Sequence, residues 1–169
     1  MIADLRTTVA FTGHRTYDGT ARTALDAAVS RAFDRGFRTF LSGMAVGFDL
    51  AAAEAVLAFR AEHPDVRLVA VIPFSGQEGR FSLADRNRFR AVAAASDEVV
   101  ILSEQFHHGC YAVRNRFLAD HASLLIAWYD GSPGGTQYTL RRAFSRTCEV
   151  WNLHPAAAFS IRTADPELF

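Results

Sequence analysis

The chain has 169 residues, enough for one domain with a substantial hydrophobic core. Half of them are apolar and 21% charged, which excludes a disordered chain. Eighteen basic residues, all arginine, balance eighteen acidic ones, so composition gives no general attraction to polyanions and no support for non-specific nucleic-acid binding.

The first residues, MIADLRTTVAFTG, lack the charged start and long apolar stretch of a signal peptide. No run reaches the ~18 apolar residues that a membrane span needs. Cys110 and Cys148 form no CxxC pair, and so low a count points to a reducing compartment. The sequence therefore predicts a cytoplasmic protein.

Along the chain, short apolar runs alternate with helical patterns. Strands are predicted at 8–11, 38–42, 67–72, 98–102, 123–128 and 148–153. Several are continuously apolar, as in a sheet covered on both faces. In 20–35, Leu25, Ala28, Val29, Ala32 and Phe33 share one helical face. The stretch 49–63 has very high helix propensity and is stopped by Pro64. Further helices are predicted over 83–95, 112–121 and 136–146. This alternation predicts a single α/β domain: a Rossmann-like, doubly wound, mainly parallel sheet of about six strands with helices on both faces. The core spans about 8–153, and 154–169 reads as a loose or partner-packed tail.

In such a sheet a ligand lies outside the carboxyl ends of the strands, near the point where the strand order reverses. The loops there are the informative ones. After the first strand come Thr12, Gly13, His14 and Arg15, a set suited to an anion or a ribose and equally readable as a tight turn. After the second come Ser42, Gly43, Met44, Ala45 and Gly47, then Asp49, which reads either as a helix N-cap or as a site residue. The spacing is neither GxGxxG nor a P-loop, and no lysine is present to reach a terminal phosphate.

Pro73 opens the third loop, which carries Gly76, Gln77, Glu78 and Arg80, with Arg86, Arg88 and Arg90 beyond. These arginines read as a lid, a substrate edge or plain helix surface. The fourth loop holds His107, His108, Tyr111, Arg114 and Asn115. Adjacent histidines on an extended chain point apart, and no further ligands stand at metal spacing, so no metal site is expected. After the fifth strand, Asp130 precedes Gly134, Gly135 and Thr136. The glycines remove Cβ atoms where a ligand would meet the backbone, and Thr136 is placed to cap the next helix.

FTGHR, SGMAVGFDLAAAE, CYAVRNRFLAD and LLIAWYDGSPGGTQYT, in this order over about residues 8–145, resemble the YpsA-like family of the SLOG superfamily. That superfamily has Rossmann-like domains and includes the LOG phosphoribohydrolases and the DNA-processing protein A (DprA) family. The resemblance implies a nucleotide or nucleotide-derived ligand, ADP-ribose-like, at the strand ends. LOG enzymes carry a glutamate after their PGG motif; here Gln137, Tyr138, Thr139, Leu140, Arg141 and Arg142 follow instead. An N-glycosidase of nucleoside phosphates, the enzyme alternative, would have to recruit Asp49, Glu54, Glu78 or Asp130. SGMAVGFD also resembles a DprA loop, giving a second alternative, single-stranded nucleic-acid binding. A neutral, lysine-free chain makes a weak groove for a strand, so nucleic acid is not the expected partner.

The reading adopted is a binding or sensor module. Amides of the Ser42–Gly47 and Gly134–Thr136 loops seat a phosphate, Arg15 and Arg114 supply charge, and Asn115 and Asp130 orient the ribose or base. No cofactor, metal or membrane is expected, and a homo-oligomer is compatible, with the alanine-rich face of 49–63 as one surface for it.

Overall fold

The computed structural model of the chain describes residues 4–155, together with the backbone of 160–163. Five helices alternate with strands: β1 (Thr8–Gly13), α1 (Arg22–Asp34), β2 (Thr39–Ser42), α2 (Phe48–Arg60), β3 (Arg67–Ile72), α3 (Leu83–Ala95), β4 (Glu98–Ile101), α4 (Cys110–Asp120), β5 (Leu124–Trp128), α5 (Gly135–Ser145) and β6 (Glu149–Asn152). A last strand, β7 (Ser160–Thr163), lies in the segment expected to be a loose tail, and it pairs antiparallel with β6. The rest of that tail, 156–159 and 164–169, lies outside the described residues.

The strand order is β4-β3-β2-β1-β5-β6-β7, and the first six strands are parallel. The chain winds outward from β1 to β4, then returns to pair β5 against the free side of β1. Val9 therefore stands between Phe40 of β2 and Leu124 of β5. The order reverses between β1 and β5, and a crevice is expected at their carboxyl ends.

The continuous apolar runs are explained by a core on each face. Side chains alternate along every strand. Val9, Phe11, Phe40, Leu68, Ala70, Leu124 and Ile126 face α1, α2 and α3, where Leu25, Val29, Ala53, Val56, Phe89 and Val92 meet them. Ala10, Leu41, Val69, Val71, Leu125 and Ala127 face the other way, against Leu118 and Ala119 of α4 and Leu140 and Ala143 of α5. The alanine-rich face of α2, one of the surfaces considered for association, is spent on this packing: Ala52, Ala53 and Ala55 are buried in the core. Among the described residues, no helix is long and apolar enough to cross a membrane.

Candidate functional site

A cleft of about 310 Å³ opens at the reversal point, lined by Thr12, Gly13, His14, Arg15, Ala45, Asp49, Tyr111, Arg114, Asn115, Leu118, Gly135 and Thr136. The ends of β1 and β2 form one wall, and α4 with the start of α5 forms the other. Ten of these twelve are ligand contacts expected from the sequence. Tyr111 was named only as part of the fourth loop, and Leu118 was not named. Their signal was available: positions 111, 114, 115 and 118 share one face of α4 at helical spacing.

The start of α5 is the cleft's clearest donor surface. Gly134 occupies the N-cap position with no side-chain cap, so the first-turn amides are left without the usual acceptor. Thr136 is not the cap, as expected from sequence, but stands inside the first turn, 6% exposed, on the cleft wall. Gly134 has φ 142° and ψ −159°, a conformation that only glycine adopts without strain. Uncapped amides and the positive end of the helix dipole favour an anion.

Across from it, Arg114 is buried among polar partners. Its Nε donates to Asn115 Oδ1 at 2.8 Å, and its Nη1 donates to the carbonyl of Gly43. Asn115 Nδ2 in turn donates to the carbonyl of Gly135 at 3.4 Å, tying α4 to α5. Two bonds leave further guanidinium N–H groups for a ligand. Burial lowers the Arg114 proton affinity, and the nearby Asp49 carboxylate opposes that. Arg15 is exposed and has no carboxylate partner among the described residues; its guanidinium lies 5.4 Å from the Tyr111 ring centroid.

Asp49 sits on the cleft floor, 5% exposed. It is not an N-cap. Gly47, at φ 83°, starts α2 one residue before Phe48, which places Asp49 in the first turn with its side chain turned inward. Its Oδ1 has no hydrogen-bond partner. Burial pushes its pKa up to about 6, against the pull of Arg114 and of a backbone bond from Ala45. Of the four candidate carboxylates, Asp49 alone lines the cleft. Glu54 accepts from Arg88 in a neighbouring hollow. Glu78 sits in a 3-10 turn, Gln77–Arg80, beyond β3. Asp130 stands at the rim, 2.8 Å from His14 Nε2, and its Oδ1 also accepts from Ser132 N and Oγ. Those Ser132 bonds hold the Asp130 carboxyl below the ordinary aspartate range.

The remaining sequence candidates build the walls from behind. Ser42 Oγ donates to the Asp49 carbonyl and accepts from Met44 N. Met44 is fully buried and Pro73 is buried behind β3. Gly47 packs against the backbone of the first loop, where an added Cβ would sit 2.7 Å from the His14 carbonyl oxygen. Several amides of the β2–α2 junction already serve the protein: Met44 N donates to Ser42, Phe48 N to His14, and Leu50 N to Ala45. Among the described residues, the start of α5 adds first-turn amides with no side-chain cap. Of the arginines beyond β3, Arg88 is paired with Glu54 and Asp85 and Arg86 bonds the Gly79 and Phe81 carbonyls, so both are structural.

A parallel sheet reversing beside a cleft, with glycine-rich loops and an uncapped helix start, defines a Rossmann-like α/β domain. Residues 10–152 match the model of the YpsA family, described as the YspA SLOG family, and the chain belongs to it. It is similar to the SPbeta prophage-derived protein YoqJ of Bacillus subtilis, with 26% identity over 72% of this chain and 80% of that protein. The UPF0398 protein BH1768 of Halalkalibacterium halodurans shares 28% identity over 73% of this chain and 67% of its own.

Two solved structures share the fold. DprA from Streptococcus pneumoniae aligns with TM-score 0.63 and 21% identity, covering 87% of this chain and 50% of that one. DprA from Helicobacter pylori, whose structure is described in terms of its single-stranded DNA binding mode, aligns with TM-score 0.64 and 16% identity, covering 88% and 65%. This chain thus spans less than two thirds of either DprA chain.

Proposed function

We propose that the cleft binds a nucleotide or a nucleotide-derived small molecule through its phosphate. The observation that carries this reading is the uncapped start of α5 facing the buried Arg114, with the unpaired Arg15 at the mouth. Backbone amides, a helix dipole and two planar cations make a seat for a phosphate and a poor one for a neutral solute. The volume of about 310 Å³ suits a phosphoribosyl group.

Calorimetry with AMP, ADP-ribose and ribose 5-phosphate tests the reading. Binding is expected, with at least a tenfold loss in Arg15→Ala, an exposed position whose change leaves the fold alone. Folded protein that binds none of the three overturns it. Asp49 is also the one cleft carboxylate with a pKa near neutrality, the requirement for general acid–base work. Release of free base from AMP, lost in Asp49→Asn, would make the module an N-glycosidase.

Strand binding is the second reading, favoured by the fold shared with DprA and by exposed aromatic rings beside the cleft. A strand neutralised by several arginines would lose affinity steeply with salt. A mononucleotide seat would show a shallow dependence and no gain with oligonucleotide length.

A further inference from the structure

A second hollow of about 500 Å³ adjoins the cleft and shares Arg15 and Tyr111 with it. Its walls differ in character. Phe74, Phe106 and Tyr111 form an aromatic cluster, with Phe74 5.4 Å from Phe106 and 5.9 Å from Tyr111 between ring centroids. Phe106 is 60% exposed, a large apolar ring left in water. From the 3-10 turn beyond β3, Gln77 joins the lining. It is 4% exposed, yet neither Nε2 nor Oε1 has a hydrogen-bond partner. An unmet buried amide costs ~1–3 kcal/mol, so two unmet atoms on one side chain call for an occupant.

We infer that this hollow is a nucleobase subsite, continuous with the phosphate seat across the Arg15–Tyr111 wall. The inference rests on the phosphate reading of the cleft and extends it to the other end of the ligand. A planar base stacks on the Phe106 and Phe74 rings, and the buried Gln77 amide turns outward to meet its polar edge. A carboxamide offers one donor and one acceptor side by side, the pattern that adjacent donor and acceptor groups on a base edge complement. The wall also carries Arg15, Arg80 and the Asp85 carboxylate, which Arg88 holds at 2.9 Å, but a second phosphate would leave its aromatic rings without a partner. A sugar would leave the aromatic surface unused. Arg15 lies where a phosphoribosyl linker would cross from one hollow to the other.

The test compares AMP with ribose 5-phosphate, which differ by the base alone. The wild-type protein is expected to prefer AMP by about tenfold or more, the contribution of one stacked base. Phe106→Ala, at an exposed position, is expected to abolish that preference and leave ribose 5-phosphate affinity unchanged. Gln77→Leu, which fills the same space without polar atoms, is expected to reduce it while raising stability. Equal affinity for the two ligands in the wild type overturns the base subsite and leaves the phosphate seat standing. Failure of both ligands to bind overturns the phosphate reading itself. A preference for AMP that survives both substitutions places the base elsewhere and also refutes the inference.

Discussion

Asp49 and Arg114 crowd the same space over Gly43, one reaching in from α2 and the other from α4, and both are buried. The arginine attracts the carboxylate, but desolvation outweighs it, and the Asp49 pKa rises from 3.8 to about 6. A folded-state pKa above the unfolded one stabilises the protein at low pH. The contribution is complete below about 3.8, declines as pH rises to about 6 and is absent above it. At about 1.4 kcal/mol per tenfold change in proton affinity, the swing is about 3 kcal/mol. Asp49→Asn is expected to keep the low-pH stability at pH 8. Urea unfolding of both proteins from pH 4 to 8 isolates the term, because other titrating groups cancel in the difference.

On the proposed phosphate reading, the same carboxylate is expected to govern binding. An anion seated beside Arg114 is repelled by ionised Asp49 and tolerates the protonated form, so binding takes up a proton. ADP-ribose is the suitable probe, because its pyrophosphate stays fully ionised across this range. Its affinity is expected to fall severalfold between pH 5.5 and pH 8 in the wild type and to stay level in Asp49→Asn. Calorimetry in two buffers of different ionisation enthalpy reads the proton uptake directly.

Gly43 is what allows this arrangement. A Cβ there would stand 2.7 Å from Arg114 Nη1 and 2.8 Å from Asp49 Oδ2. The atoms met belong to side chains that border the cleft, so both groups must shift toward it to admit the methyl. Gly43→Ala is expected to cost ~1–3 kcal/mol, the usual cost of overpacking, and to weaken phosphate binding by displacing the guanidinium. Gly79→Ala is the control, since a Cβ at Gly79 meets nothing within 4 Å. The urea midpoint is expected to drop for the first variant and hold for the second, with equal slopes.

These relationships mark where sequence reading succeeds and where it stops. The strands were legible because both faces of the sheet are covered, so LLIAW and RLVAVI are apolar without a break. The helices were legible because α1 and α2 carry one apolar stripe each. β7 was not, because four residues at a sheet edge leave no hydrophobic run. The site was legible as a set of loops, since strand-end glycines and arginines announce themselves. The orientation of each residue was not. Asp49 turns inward because Gly47 takes a positive φ and starts α2 early, and Gln77 is buried because its turn packs against α3. Such facts come from tertiary packing, which local pattern does not encode.

The two cysteines give an independent measure of the packing. Cys110 is 1% exposed at the start of α4, and Cys148 is 4% exposed just before β6. Burial pushes the Cys148 thiol up to about 12, and its Sγ donates to the Ala122 carbonyl at 3.6 Å. The thiolate is the reactive form, so a buried thiol with so high a pKa is inert at pH 8. Native protein is expected to release almost no chromophore from a thiol reagent, and denatured protein two equivalents. A fast-reacting equivalent in the native state would mean that the α4 or β6 packing opens readily.

Gly134 separates strain from contact as the basis of the proposed phosphate seat. An added Cβ there meets nothing within 4 Å, so Gly134→Ala creates no clash. Its φ of 142° is the difficulty, and an alanine would pay ~1–3 kcal/mol to adopt it. The Gly134 carbonyl also accepts from Tyr138 N at 3.0 Å, the bond that opens α5. A backbone relaxing toward a favourable φ re-aims that carbonyl and turns the first-turn amides of Gly135 and Thr136 off the cleft. Gly134→Ala is therefore expected to lose at least tenfold in ribose 5-phosphate affinity, with the protein still folded by circular dichroism. Gly131→Ala, also at positive φ with open space around it, is expected to share the loss of stability and to retain binding, because Gly131 lies outside the cleft lining. Equal binding losses in the two variants would mean that loop strain, and not the amides at the start of α5, sets the affinity.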